Sequence, residues 1–202
     1  MPTPRVVLAS GNAGKLREFS ELLGPSGFEL VRQSEFGITP PPETGTTFLE
    51  NALIKARNAA QLSGLPAIAD DSGIEVDALG GAPGVFSARF AGEDASDEAN
   101  LAKLQAALEG LPPEKRTARY RCVIVFVESA LDARPLVGDG AWEGRIIPAR
   151  RGTGGFGYDP SFVPVGETRT VAEMPAAEKN LQSHRGQAMR AFLAQLGRRS
   201  VP

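Results

Sequence analysis

Residues 5–23 read RVVLASGNAGKLREFSELL, and the fold class turns on them. Arg5–Ser10 is a short apolar run with the character of a buried strand. Gly11–Gly14 is a turn of small residues. Lys15–Leu23 then places Leu16, Phe19, Leu22 and Leu23 at helical spacing, and Gly24-Pro25 stops it. A strand that passes through a small-residue turn onto a helix N-terminus aims backbone N–H groups at an anion, and Lys15 adds a full charge. The turn is not a P-loop, which needs glycine where Ala9 stands and Ser or Thr where Leu16 stands. On these residues alone, an anion cradle and a plain turn with a solvated lysine are evenly balanced.

Outward from this unit, Phe28–Val31 suits a second strand and Ser34–Gly45 a proline-rich loop. Thr47-x-x-Glu50 is a capping box. It opens a helix to about Leu62 with an apolar face of Phe48, Leu49, Ala52, Leu53, Ala56, Ala59 and Ala60. Pro66–Ala69 reads as a short strand running into Asp70-Asp71-Ser72-Gly73. Residues 73–95, rich in glycine and proline, read as a long ordered loop, and Ser96–Leu108 as a helix with Asp97 and Glu98 favourably placed in its first turn. Thr117–Val127 is the longest strand. Pro135–Gly140 suits a hairpin partner for it, Ala141–Ile147 a further strand and Ser161–Val163 an extended segment. Met189, Phe192, Leu193 and Leu196 mark a C-terminal helix. Early β–α alternation followed by adjacent strands predicts an α/β fold with a mixed sheet.

The 202 residues fit one domain, or one domain with two lobes, and a formal net charge of -2 gives no general attraction to nucleic acid or anionic membrane. The single cysteine, Cys122, lies in an apolar run and reads as a buried, inert thiol. The N-terminus, Met1-Pro2-Thr3-Pro4-Arg5, leads into an apolar run that is too short for a signal peptide, and no stretch approaches the ~20 apolar residues of a membrane span. These features predict a cytoplasmic protein with no nucleic-acid or membrane partner.

Three further clusters carry chemistry. Asp70 and Asp71 are adjacent carboxylates at a strand end, where Mg²⁺ finds the oxygen ligands it prefers. In extended chain they face opposite ways, so one of them is the direct ligand. A turn aspartate accepting backbone N–H bonds is the competing reading. Glu75 and Asp77 read as surface residues. Gly152, Gly154 and Gly157 satisfy G-x-G-x-x-G, but no helical apolar period follows, so the dinucleotide reading is rejected. The loop can instead offer Phe156 and Tyr158 to a planar ligand, although ring packing in the core is the stronger reading of those two residues alone. Lys179 and Ser183-His184-Arg185-Gly186 form the last cluster. The Arg185 fork matches purine O6 and N7, the acceptor edge of hypoxanthine, xanthine and guanine, and opposes the amino donor of adenine.

Taken together, SGNAGKLREF at 10–19, ETGTTFLENALIKA at 43–56, AIADDSGIEVDALGGAPGVFSARFAG at 67–92, GTGGFGYDP at 152–160 and EKNLQSHRGQA at 178–188 resemble the inosine/xanthosine triphosphate pyrophosphatase family, in order and over nearly the whole chain. The resemblance implies an elongated α/β structure whose mixed sheet is flanked by helices, with a substrate cleft between two lobes, and a homodimer. It implies Mg²⁺-dependent hydrolysis of non-standard purine nucleoside triphosphates (ITP, dITP, XTP) to monophosphate and pyrophosphate. It assigns phosphate binding to Ser10, Gly11, Asn12, Ala13, Gly14 and Lys15. It makes Asp71 the metal and catalytic carboxylate and gives Ser72 a substrate contact. Phe156, Gly157, Tyr158 and Asp159 would form part of the base pocket, completed by Lys179, His184 and Arg185. Where the family carries two glutamates before Thr-Gly this chain has Pro42-Glu43, which leaves Glu43 or a water as the second metal ligand. The competing functions are a pyrophosphatase for modified pyrimidine nucleotides and a non-catalytic nucleotide-binding module.

Overall fold

The computed structural model describes residues 3–11, 13–23 and 28–199, with the side chains of 13–17 and 199 outside that description. Six strands, β1 (Arg5–Leu8), β2 (Glu29–Arg32), β3 (Ala67–Val76), β4 (Thr117–Val127), β5 (Leu136–Ile146) and β6 (Phe162–Pro164), form one sheet in the order β2-β1-β3-β4-β5-β6. β1 pairs in parallel with both β2 and β3, whereas β5 and β6 are antiparallel, so the sheet is mixed as the element order predicts. The helices are α1 (Ala13–Leu23), α2 (Phe48–Ser63), α3 (Asp97–Ala107), α4 (Ala176–Gln182) and α5 (His184–Arg199).

The chain divides into two compact units. The first comprises Met1–Asp71, Cys122–Gly140 and Arg185–Pro202. Its core gathers Val6, Leu8 and Ile68 with Phe19 and Leu23 of α1, Ile124 and Phe126 of β4, and Met189 and Phe192 of α5. The second comprises Ser72–Arg121 and Ala141–His184. Its core is Ile74, Val76, Leu101, Leu104, Leu108, Tyr120, Trp142, Tyr158 and Phe162. Cys122 is fully buried, with its Sγ 3.9 Å from Asp70 Oδ2. Among the described residues no helix is long and apolar enough to cross a membrane.

Two strands differ from their sequence reading for identifiable reasons. β3 does not stop at Ala69 but continues through Asp70 and Asp71 to Val76. The aspartates end no strand because their partners are cations on helices far along the chain. Ile74 N–H donates to Ser87 Oγ at 2.9 Å, and Glu75 bridges Pro83, so the strand keeps partners to its end. β5 is a single strand where a break near Gly140 was expected. Two of its glycines, Gly138 and Gly144, are required by packing. A Cβ on Gly138 would sit 2.1 Å from the Ala188 carbonyl of α5 and 2.9 Å from Phe192 N. The loop over residues 73–95 contains two short 3₁₀ segments, Asp77–Leu79 and Gly84–Arg89, and α4 is a helix with no counterpart in the sequence reading.

Candidate active site

In the first unit, register brings the β1 turn and the aspartate pair level with each other. Leu8 pairs with Ile68, and Ala9 N–H donates to the Ile68 carbonyl at 2.8 Å. The chain therefore leaves β1 at Ser10 and Gly11 beside Ala69–Asp71, and re-enters helix at Ala13. In open α/β sheets, ligands bind off the carboxyl ends of parallel strands, at the N-termini of the helices that follow. Asn12 and the side chains of Ala13–Lys15 lie outside the described residues.

Asp71 is held by two residues of α2. Lys55 Nζ donates to Asp71 Oδ1 at 2.9 Å and to Glu43 Oε1 at 2.6 Å, and Asn51 Nδ2 donates to Asp71 Oδ2 at 3.3 Å. Asn51 and Lys55 are four residues apart, hence on one face of α2. That helix starts on the expected capping box: Thr47 Oγ1 accepts from Glu50 N, and the Glu50 carboxylate accepts from Thr46 N and Thr47 N. Asn51 Oδ1 also accepts from Gly45 N–H at 2.8 Å, which ties the Glu43 loop to the same helix. Only glycine fits at position 45, since a Cβ would stand 2.6 Å from Glu50 Cβ and 2.7 Å from Asn51 Oδ1.

Asp70 points elsewhere. Arg185 Nη2 donates to Asp70 Oδ2 at 3.2 Å, and Arg185 Nη1 donates to Glu18 of α1. Both Asp70 and Arg185 are 1% exposed. Burial works against the Arg185 charge, but Asp70, and then Cys122 and Glu18, outweigh it and push its pKa further above the usual arginine value.

The second unit holds the remaining residues. Asp159, buried, accepts at Oδ2 from Phe156 N–H and from Lys179 Nζ, each at 2.9 Å. Its Oδ1 accepts from the Tyr120 hydroxyl at 3.0 Å. Lys179 Nζ lies 4.5 Å from the Phe156 ring centroid, a cation–π contact. Gly157 N–H donates to Asp97 Oδ2 at 2.8 Å. Tyr158 is a core residue whose hydroxyl donates to the Ser87 carbonyl at 2.7 Å. Burial, and then the Asp97 charge, raise its pKa, so it stays a neutral phenol. His184 stacks on Tyr120, and Ser72 is half-buried in β3 directly after Asp71.

The Ham1 family model matches residues 6–195. This chain belongs to the Ham1 family. Among its Ham1 relatives, a dITP/XTP pyrophosphatase of Methylococcus capsulatus is 57% identical over 192 residues, covering 95% of this chain and 96% of the relative. A dITP/XTP pyrophosphatase of Vibrio parahaemolyticus is 55% identical over the same shares. The solved structure of a HAM1 protein from Coxiella burnetii superposes with a TM-score of 0.90 at 47% identity, over 96% of this chain and 99% of that one.

Within this Ham1 chain, Lys55, Asn51, Glu18 and Tyr120 were missed by sequence reasoning. A signal existed for two of them. Asn51 and Lys55 interrupt the apolar stripe of α2 at i, i+4, next to Ala52 and Ala56, where polar residues stand only if something polar faces them. Nothing local marks Glu18 or Tyr120.

Burial tends to lower the Lys55 pKa, but the charges of Asp71, Asp70 and Glu43 outweigh it and the net shift is upward from 10.5. Lys55 is therefore an ammonium throughout the neutral range and no base. A raised folded-state pKa adds stability that is fully present below the unfolded value and lost as pH rises through the folded one. The stability difference between wild type and Lys55→Met is therefore expected to be constant from pH 7 to about 9.5 and to fall progressively above pH 10.5. Urea unfolding at a series of alkaline pH values measures it, and an unchanged difference at pH ~11.5 would contradict the assignment.

The donor set suits magnesium. Among the described residues no three of His, Cys, Asp and Glu gather as a metal cluster. Mg²⁺ does not need three, because it keeps waters and takes its remaining oxygens from substrate phosphates. Asp71 and Glu43 both accept from Lys55 Nζ, so their oxygens lie close enough together to serve one cation.

Proposed function

We propose that this protein hydrolyses inosine and xanthosine triphosphates, in ribose or deoxyribose form, to the monophosphate and pyrophosphate. The observation that carries the proposal is the meeting of Asp71, Glu43 and Lys55 beside the β1 turn that leads onto the N-terminus of α1. The names of its Ham1 relatives, dITP/XTP pyrophosphatases at 55–57% identity, support the substrate class.

In this reading the backbone amides between Ser10 and the start of α1 and the Lys15 ammonium hold the phosphates. Asp71 and Glu43 hold Mg²⁺, which when bound neutralises the charge that builds on the triphosphate. Lys55 fixes the two carboxylates and contributes a permanent positive charge next to the phosphates. Asp71 orients the attacking water and accepts its proton, while Asn51 fixes the plane of the carboxylate. The water oxygen bonds to the α-phosphorus, the bond from that phosphorus to the α–β bridging oxygen breaks, and pyrophosphate leaves.

The Phe156 ring, edged by Lys179 and Asp159, faces the base, with Ser72, Gly157, Tyr158 and His184 completing that set. Arg185 can offer its fork to O6 and N7 only by sharing it with Glu18 or Asp70. The resemblance supports a homodimer acting in the cytoplasm.

A substrate panel tests the reading. Inosine, deoxyinosine and xanthosine triphosphates are expected to exceed adenosine triphosphate in kcat/KM by about 100-fold or more, because adenine's amino group meets donors where an acceptor is needed. Comparable turnover of deoxyuridine or methylated uridine triphosphate would overturn it.

A further inference from the structure

The base-side residues of the second unit sit on two separate stretches of chain, 156–159 and 179–184. Tyr120, on the middle of β4, touches both. Its hydroxyl donates to Asp159 Oδ1 at 3.0 Å, and its ring lies parallel to the His184 imidazole, with centroids 4.7 Å apart and planes 11° from parallel. Phe162 meets the same ring edge-on, with centroids 4.7 Å apart. Tyr120 is buried, as are Asp159, Lys179 and His184, so the contacts among them are shielded from solvent.

The hydrogen bond has a direct consequence. Asp159 Oδ2 serves two donors at once, Phe156 N–H and Lys179 Nζ. Lys179 in turn lies over the Phe156 ring. A carboxylate anchored at Oδ1 cannot swing about its χ2 bond, so the Tyr120 hydroxyl fixes the direction of Oδ2, and with it the ring and the ammonium together. Gly155 allows this approach, since a Cβ there would stand 2.0 Å from Asp159 Oδ2.

We infer that Tyr120 is a positioning residue for purine recognition: its hydroxyl sets Asp159, which sets Phe156 and Lys179, and its ring seats His184. This rests on the reading of those residues as the base site. Burial, followed by the Asp159 charge, raises the Tyr120 pKa well above the ordinary phenol value, so it remains an O–H donor across the working pH range.

The chain has one histidine, so the His184 imidazole gives a single set of ring resonances that reports on this site without labelling of other residues. The experiment titrates wild type, Tyr120→Phe and Asp159→Asn with inosine monophosphate, and separately with inorganic tripolyphosphate. The His184 signals and the Kd are followed, and thermal melting confirms that each variant is folded. In wild type, inosine monophosphate is expected to shift the His184 signals. In Tyr120→Phe the stacked ring remains, so the starting His184 shifts stay near wild type. The Kd for inosine monophosphate rises about tenfold, while that for tripolyphosphate changes less than twofold. In turnover, KM for inosine triphosphate rises by more than kcat falls. The double variant loses little beyond Asp159→Asn, because both act through one carboxylate.

Unchanged inosine monophosphate affinity in Tyr120→Phe, with the wild-type His184 response intact, would overturn the inference alone. Equal weakening of both ligands would also overturn it, because that marks general loosening. Silence of wild-type His184 toward inosine monophosphate would remove the base-site reading itself. Should Tyr120→Phe fail to fold, the wild-type and Asp159→Asn titrations still decide. A Phe156 and Lys179 geometry that binds inosine monophosphate normally without the Asp159 carboxylate leaves Tyr120 nothing to position.

Discussion

Asp71→Asn is expected to lower kcat for inosine triphosphate at saturating Mg²⁺ by about 10³-fold or more, with the fold intact. Loss of a positioned proton acceptor alone costs about 10²–10⁴-fold. The same change removes one of two carboxylates available to a cation, so the Mg²⁺ requirement should rise as well. An asparagine is the same size as the residue it replaces and still offers an oxygen to Lys55, which is now 2.9 Å from Asp71 Oδ1. Packing is therefore spared and the chemistry is not. Thermal melting separates the two, since the variant should melt within a few degrees of wild type. Turnover near the wild-type level would remove Asp71 from the centre of the mechanism and leave Lys55 as a structural cation only.

Arg185→Met should cost about 3–5 kcal/mol of stability, the range found when one partner of a buried ion pair is removed and the other charge is left behind. Arg185 and Asp70 are each 1% exposed, and Glu18 closes the other side of the guanidinium. Methionine fills much of the volume but donates to neither carboxylate. For a chain of this length such a loss lowers Tm by about 6–20 °C. Urea unfolding of wild type and variant at neutral pH measures the loss. A loss under about 1 kcal/mol would mean that the cluster is solvated.

The β1 strand, the α1 helix, the α2 capping box and the long β4 strand were legible in sequence because each is a local signal, although α1 begins at Ala13, two residues before the Lys15 start read from sequence. β4 spans the same residues in sequence reading and structure, Thr117–Val127. The continuation of β3 was not legible. Two adjacent aspartates look like a strand end until Lys55, 16 positions back, and Arg185, 115 positions on, are known to face them. Likewise the sequence breaks β5 near Gly140, because the close approach of α5 to Gly138 and of Phe162 to Gly144 cannot be seen from neighbouring sequence.

The candidate site followed the same division. The Asp70-Asp71 pair stood out by residue type, whereas Glu43 and Asp159 entered only through the family resemblance. The residues that hold them, Asn51, Lys55 and Tyr120, lie on other elements and are ordinary residues of an apolar helix face and an apolar strand. Tyr158, offered by the sequence as either a base-stacking ring or a core ring, packs in the core of the second unit and can line a base site only from behind.

Hydrolysis of inosine triphosphate in ¹⁸O-labelled water, with the products resolved by mass, tests the central claim most directly. The account predicts one labelled oxygen in inosine monophosphate and none in an intact pyrophosphate product, because the water bonds to the α-phosphorus. Label in orthophosphate or in pyrophosphate, or release of inosine diphosphate, would contradict it.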